Sequence, residues 1–232
     1  MPEPFNPADF EKYYGVYSAV VSDVKDPEDL GRVKVLLPWL DQGRIPAKFK
    51  QRGIWARPAT LMAGNNRGSW FIPDVDDEVL VAFEGGDSRH PYVIGSLWNG
   101  NDLPPESMDS SGRNNRKVLK SRNGVKVTLD DTDGSESLIL ETPAGQRISL
   151  KDGNAIVTIE DSNGNSLELA SSGITITASA RVKINASVLE ISASMVEINA
   201  GMTKASGVVK CDTLIANSVI SASYTPGAGN VW

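Results

Sequence analysis

Apolar and polar residues alternate with a period of two along most of this chain, the pattern of half-buried β-strands. In the amino-terminal part the alternation comes in short runs, at Tyr14 to Val24, Arg32 to Trp39, Ile54 to Leu61, Ser69 to Ile72, Glu78 to Glu84 and Pro91 to Leu97. Turn chemistry divides them: Asp26-Pro27-Glu28-Asp29 separates the first pair, and Gly64-Asn65-Asn66-Arg67-Gly68 a later one. Within Arg32-Val33-Lys34-Val35-Leu36 one face is apolar and the other basic, as in a half-buried antiparallel strand. No segment carries a long helical stripe. Five or six short strands in this length predict a small closed barrel, which leaves no exposed edge.

The carboxy-terminal part alternates too, but with different punctuation. Asn123-Gly124, Asp133-Gly134, Ala144-Gly145, Asp152-Gly153, Asn163-Gly164 and Ser172-Gly173 recur at spacings of 10, 11, 8, 11 and 9 residues, which predicts short strands joined by tight turns. Past Gly173 a seven-residue repeat takes over, in units beginning at Ile174, Arg181, Val188 and Met195. A heptad raises the coiled coil, whose seam would use Ile184, Val188, Ile191, Met195 and Ile198. The other positions are loaded with Ser, Asn, Thr and Val, which are poor helix formers. Strand alternation fits better. Val182, Ile184, Ala186 and Val188 share one face, then Leu189, Ile191, Ala193 and Met195, then Val196, Ile198, Ala200 and Met202. Seven is odd, so the apolar face changes parity once per repeat and each repeat needs a corner or bulge. Strand, corner, strand is the grammar of a β-helix.

Composition shows why such a segment needs company. From Asp102 onward the only aromatic residues are Tyr224 and Trp232, out of fifteen in the chain. Val, Ile, Ala, Ser and Thr form strands readily but supply little bulk for a core within one subunit. Open strand edges would also be an aggregation hazard unless identical copies paired them. The predicted interior of such an oligomer is Val182, Ile184, Val188, Leu189, Ile191, Met195, Val196 and Ile198.

Net charge is −6, with 11 Lys and Arg against 16 Asp and Glu in residues 1–107 and 12 against 13 thereafter. Neither part has the basic excess of a phosphate-backbone binder, so nucleic acid is not expected as a partner. A single cysteine, Cys211, rules out an intrachain disulfide and a Cys-rich metal site. The start, Met1-Pro2-Glu3-Pro4-Phe5-Asn6, has no basic, apolar leader, and no run of apolar residues is long enough to span a bilayer as a helix, so a soluble product made in the cytoplasm is expected.

The barrel region carries a family resemblance in the order and spacing of its short motifs. They are Gly15-Val16-Tyr17, Asp29-Leu30-Gly31-Arg32-Val33-Lys34-Val35, Pro38-Trp39, Trp55-Ala56-Arg57-Pro58, Gly68, Pro73, Asp77-Glu78-Val79-Leu80-Val81-Ala82-Phe83, Gly86-Asp87 and Pro91-Tyr92-Val93-Ile94-Gly95-Ser96-Leu97, with Asn99 and Pro104-Pro105 closing the pattern. Together they resemble the oligonucleotide/oligosaccharide-binding (OB)-type barrel of contractile-tail spikes, namely phage baseplate protein V and VgrG of type VI secretion. The stretch Arg122-Asn123-Gly124 through Thr142-Pro143-Ala144-Gly145-Gln146-Arg147-Ile148 also looks like that family. The resemblance implies an all-β chain, an OB-type barrel followed by an intertwined trimeric β-helix spike. The number three comes from the family; the repeat by itself says only that the chain is oligomeric. The expected layout is an extension over 1–13, a barrel over 14–105, a linker or collar over 106–122, the spike over 123–222 and a tip-proximal segment over 223–232.

The resemblance further implies a homotrimer that joins baseplate hub and tail tube, takes a PAAR-type tip protein on Tyr224, Val231 and Trp232, and meets the target envelope membrane on contraction, carried there in a virion tail or injection particle. Candidate chemistry is sparse, and no catalytic, cofactor or metal residues are assigned. His90, the only histidine, excludes a His-x-His metal apex and is expected to open a barrel strand. Asp74, Asp76, Asp77 and Glu78 do not follow the order of an EF-hand loop and read as a solvated turn. Arg113, Arg116, Lys117, Lys120, Arg122 and Lys126 form a basic run that is either a solvated collar or a contact for an acidic neighbouring ring. Trp39, Trp55, Trp70 and Trp98 are read as core or interface aromatics, with a stacking platform for bases or sugars as the sharper alternative. Cys211 is read as a buried, inert thiol. The rival functions are a nucleic-acid or glycan-binding barrel and a β-helical glycan depolymerase, the latter needing paired carboxylates where Glu160, Glu168, Glu190 and Glu197 read as outward solubilising groups. No phosphate-loop, zinc-protease or serine-hydrolase motif occurs.

Overall fold

The structure, a computed structural model, describes residues 12–38 and 53–223. It contains two compact units, residues 1–181 and 182–232.

In the first unit, five strands close into a barrel: β1 (Val16–Asp23), β2 (Val33–Leu36), β3 (Ile54–Pro58), β6 (Glu78–Phe83) and β7 (Pro91–Ser96), in the order β1-β2-β3-β7-β6 and back to β1. All pairs are antiparallel except β3 with β7. Alternation puts Ala19, Val21, Val33, Val35, Ala56, Val79, Val81, Phe83 and Val93 inside, with Tyr13, Tyr17, Leu37, Ile54 and Ile72 packed against them. The interior is therefore narrow and filled by small and β-branched side chains. The tryptophans are elsewhere: Trp55 is half-buried under the Arg32 guanidinium, while Trp70 and Trp98 are exposed. Of the core-or-interface reading, the core half is corrected for Trp70 and Trp98, which lie outside the barrel interior. Trp39 lies outside the described residues.

The run at Ser69 to Ile72 is not a strand. A two-residue ladder, β4 (Ala63–Gly64) with β5 (Arg67–Gly68), precedes it, and Trp70 and Phe71 project from a loop. Trp70 leans on Gly31, where a β-carbon would sit 2.9 Å from the indole at a φ of +71°. Gly31 is thus required twice, for its left-handed backbone and for the ring above it.

The loop between β1 and β2 is held by Asp26. Its carboxylate accepts hydrogen bonds from the backbone N–H groups of Glu28 (3.1 Å), Leu30 (3.0 Å) and Arg32 (3.1 Å), and from the Arg32 guanidinium at 2.7 and 3.1 Å. These bonds, the Arg32 side chain first among them, hold the Asp26 carboxyl well below its ordinary pKa.

Residues 116–177 form a separate sheet, a seven-stranded antiparallel meander: β8 (Arg116–Lys120), β9 (Lys126–Asp130), β10 (Ser137–Glu141), β11 (Arg147–Lys151), β12 (Ile156–Glu160), β13 (Ser166–Ala170) and β14 (Gly173–Thr177). The turn dipeptides fall between these strands as the spacing predicts. One turn uses a different residue from the one nominated: after Asp152-Gly153 it is Ala155 that takes φ +49°. Strand β8 lies inside the stretch read as linker. The rest of that stretch is organised by Asp109, whose carboxylate accepts N–H bonds from Ser111 (2.9 Å), Arg113 (3.3 Å) and Asn114 (3.2 Å).

Beyond β14, residues 178–223 form neither a strand nor a backbone–backbone hydrogen bond among the described residues. The region expected as one β-helix thus has two characters within a single chain: a self-paired meander to Thr177, and after it a repeat without strand pairing among the described residues.

Candidate functional site

The meander is a sheet with two unlike faces. Register places Leu119, Val127, Leu140, Ile148, Ile159, Leu167 and Ile176 in one row across all seven strands. Two residues away along each strand, and therefore on the same face, run Lys117, Leu129, Leu138, Leu150, Val157, Leu169 and Ile174. Thirteen of these fourteen positions are aliphatic.

The opposite face carries Val118, Thr128, Ile139, Ser149, Thr158, Glu168 and Thr175 in its central row. Ionic cross-strand pairs flank that row, Arg116 with Asp130 at 3.3 Å, Lys126 with Glu141 at 3.7 Å and Arg147 with Glu160 at 3.9 Å. Ser149 and Thr158 share a hydroxyl hydrogen bond of 2.6 Å.

Burial runs opposite to polarity. Ser149 is only 2% exposed, while its strand neighbours Ile148 and Leu150 on the other face are 37% and 41% exposed. The hydroxyl row, flanked by the ionic pairs, is thus the more buried, while the aliphatic row stands half-open among the described residues. A contiguous apolar face of this extent is far beyond what a monomer leaves open. Covering it would contribute on the order of 10 kcal/mol per subunit before the costs of association, from thirteen half-exposed aliphatic groups.

The extended repeat shows the same deficit in its backbone. Its N–H and C=O groups are left to solvent in the single chain, and strand-forming sequence of this kind ordinarily pairs them with another strand. All eight residues expected in the oligomer interior are exposed in the single chain: Val182, Ile184, Val188, Leu189, Ile191, Met195, Val196 and Ile198 range from 55% (Val196) to 78% (Val188). Cys211, read as a buried, inert thiol, is exposed in the single chain. Tyr224, Val231 and Trp232, expected to receive a tip protein, lie outside the described residues.

The other candidates resolve into structural roles. His90 directly precedes β7; its carbonyl accepts from Glu84 N–H and its own N–H donates to the Asp87 carbonyl, each at 3.0 Å. Asp74, Asp76 and Asp77 lie in the turn that leads into β6, and Glu78 opens that strand. Asp77 accepts the Asp74 N–H at 2.8 Å, Asp74 holds Arg122 at 2.8 Å, and Glu78 accepts from Asn99 at 3.0 Å. In the basic run, Arg116 and Lys126 belong to the ladders just described, Lys117 pairs with Asp131 at 2.5 Å and Arg122 with Asp74. Its cations are thus largely answered by carboxylates of the same chain, distant in sequence, which neither earlier reading foresaw. Alternation along the sequence does not single out the meander's apolar face: its signal is Val-x-Leu, Leu-x-Leu and Ile-x-Leu in successive strands, legible once the turns set the register.

A closed barrel followed by a meander with an open aliphatic face defines an all-β protein with surface left for other copies of the chain. Residues 17–98 match the family described as type VI secretion system/phage-baseplate injector OB domain, and residues 137–204 match the phage baseplate V C-terminal trimerisation domain. The chain belongs to the phage baseplate V and VgrG-like spike family. Among similar proteins is the type VI secretion system spike protein VgrG1b of Pseudomonas aeruginosa, 28% identical over 147 residues, covering 59% of this chain and 19% of the relative. VgrG3 of Vibrio cholerae is 28% identical over 116 residues (49% and 11%), and VgrG2a of Pseudomonas aeruginosa 30% identical over 121 (51% and 14%). The chain therefore spans about a fifth or less of the length of these relatives. The match to a trimerisation domain supports a homotrimer, and it covers β10 to β14 and the first heptads, where the uncovered apolar surface lies.

Proposed function

We propose that three copies of this chain assemble into the central spike of a contractile phage tail or a related injection system. The barrel faces the tail tube and baseplate hub, and the meander and repeat build a prism that carries the sheath's contraction force to the target envelope. The observation that carries this reading is the aliphatic face across β8–β14, open in the single chain. Three such faces turned toward a common axis bury one another, and the ionic and hydroxyl face is left toward solvent. In the repeat, strands from neighbouring copies supply the missing backbone partners.

The action is mechanical. A narrow rod with no free strand edge resists bending and breaches a membrane without making or breaking covalent bonds. The segment 223–232 breaks the repeat and restores aromatic residues; in this reading Tyr224, Val231 and Trp232 form a blunt platform for a PAAR-type tip protein. Deleting 223–232 should abolish co-purification of the tip while leaving the oligomer intact, and unchanged tip binding would rule that platform out.

The rival readings find less support. A nucleic-acid barrel wants unpaired cations, whereas Arg32 is committed to Asp26 and Glu28, and Arg57 to Tyr92 at 2.7 Å. A depolymerase wants two facing carboxylates in a groove; Glu160 is paired with Arg147, and Glu168 stands across from Thr158. The proposal is tested by the mass of the full chain in solution. Leu150→Asp, at the centre of the apolar face, should shift the trimer to monomer, whereas Lys151→Glu on the opposite face should not.

A further inference from the structure

In the heptads, the third position holds Lys183, Glu190, Glu197 and Lys204, exactly one repeat apart along the chain and immediately before Ile184, Ile191, Ile198 and Ala205. All four charged side chains are exposed, and none makes an ion pair among the described residues. They stand on the polar side of the strand, where Asn199 donates to Glu197 at 2.9 Å from two residues on. A bend separates consecutive members of this series, at Ser187, Ser194 and Gly201, and they make no ion pair with one another within one copy. Strands of different copies stacked along a prism face are about 4.8 Å apart, and there they can meet.

We propose that these four residues form an intersubunit charge ladder that sets the axial register of the trimer, with Lys183 of one copy against Glu190 of the next and Glu197 against Lys204. The proposal rests on the trimeric reading above and deepens it. If each repeat turns one corner of a three-sided prism, threefold symmetry makes the next strand on any face the neighbouring copy's following repeat. Position three of one repeat then lies beside position three of the next.

Charge excludes the unstaggered register; the threefold geometry, not charge, selects a one-repeat stagger over a two-repeat one, which would pair Lys183 with Glu197 and Glu190 with Lys204. With no stagger, Lys would stack on Lys and Glu on Glu throughout. A one-repeat stagger gives two attractive contacts, Lys183–Glu190 and Glu197–Lys204, around one like-charged step between Glu190 and Glu197. Ion pairs at exposed sites are individually weak, but threefold symmetry repeats each one three times, and the apolar stack beside them has no directionality of its own.

Oxidative cross-linking of the full chain in a Cys211→Ser background tests the register directly. A disulfide needs Cα atoms within about 4.4–6.8 Å, so Lys183→Cys with Glu190→Cys, adjacent across neighbouring copies in the ladder, should lock the chains into covalent trimers on a non-reducing gel. Lys183→Cys with Glu197→Cys should stay unlinked. Linkage of the second pair in place of the first, or of neither in protein that light scattering shows to be trimeric, overturns the ladder and leaves the trimer standing. A monomer in that scattering experiment overturns both.

Charge swaps provide a second readout in the unfolding midpoint at low salt. Lys183→Glu leaves one attractive contact and should lower the midpoint by a few degrees. Glu190→Lys keeps two attractive contacts and one like-charged step and should leave it unchanged. The two together make the ladder fully alternating and should raise the midpoint above the native chain's. Additive effects of the two substitutions, or differences that persist in molar salt, would contradict the charge mechanism.

Discussion

Asp161 and Asp26 show how single carboxylates hold turns that the strands depend on. Asp161, between β12 and β13, accepts N–H bonds from Asn163 at 2.8 Å and Asn165 at 2.9 Å, and its side chain also accepts from the Asn165 amide at 2.7 Å. The Asn165 side chain is the leading cause of its fall from 3.8 to about 2. A folded-state pKa below the unfolded value means stability that is fully present above the unfolded value and is lost as pH falls through the folded one. Asp161→Asn should therefore lower the melting temperature at neutral pH, and the gap from the native chain should narrow as pH falls from about 4 to 2. A gap independent of pH over that range would mean that the carboxylate charge is not what holds the turn. Two backbone positions make a complementary pair. Ala155 occupies a left-handed φ that costs a non-glycine residue about 1 kcal/mol or more, so Ala155→Gly should raise the unfolding midpoint. Gly31→Ala should lower it, because the new methyl meets both the left-handed backbone and the Trp70 ring 2.9 Å away.

At the scale of strands and turns, period-two patterning located all five barrel strands to within a few residues, because each had to bury one face against a small interior. It failed at Ser69 to Ile72, where apolar side chains serve an exposed loop; alternation cannot distinguish a residue that faces the core from one that faces outward in company. The turn dipeptides marked every hairpin of the meander, but the strand β8 was missed within a polar, basic stretch. Its charges, Arg116 and Lys117, are answered by Asp130 and Asp131 across the hairpin, and pairing of that kind is invisible until the register is known. The same holds for the candidate interface. Eight oligomer-core residues in the heptads could be named from parity alone, while the larger aliphatic face upstream emerged only when seven strands were laid side by side. An element-scale consequence follows for the edges. β14 is exposed along its whole length, so proline at Thr175 should leave the barrel folded and weaken assembly, read as retained barrel unfolding with loss of trimer mass.

For the whole molecule, the division of labour follows from where apolar surface is spent. The barrel closes its own edges and buries its own core, so it has what a separate folding unit requires. The meander has strands without cover and the repeat has strand-forming sequence without strands, and in the proposed trimer folding and association of both are one event. That makes their stability depend on protein concentration in a way the barrel's does not. Thermal unfolding of the full chain should accordingly show a distal transition that moves to higher temperature as concentration rises, alongside a barrel transition that stays in place. The charge ladder then acts on the distal transition alone. The most direct check on the whole scheme is the mass of the purified full chain by light scattering across a dilution series. A mass of three chains, retained on dilution and reduced to one by Leu150→Asp, is expected; a native chain that runs as a folded single copy, with its distal strands protected from hydrogen exchange, would contradict it.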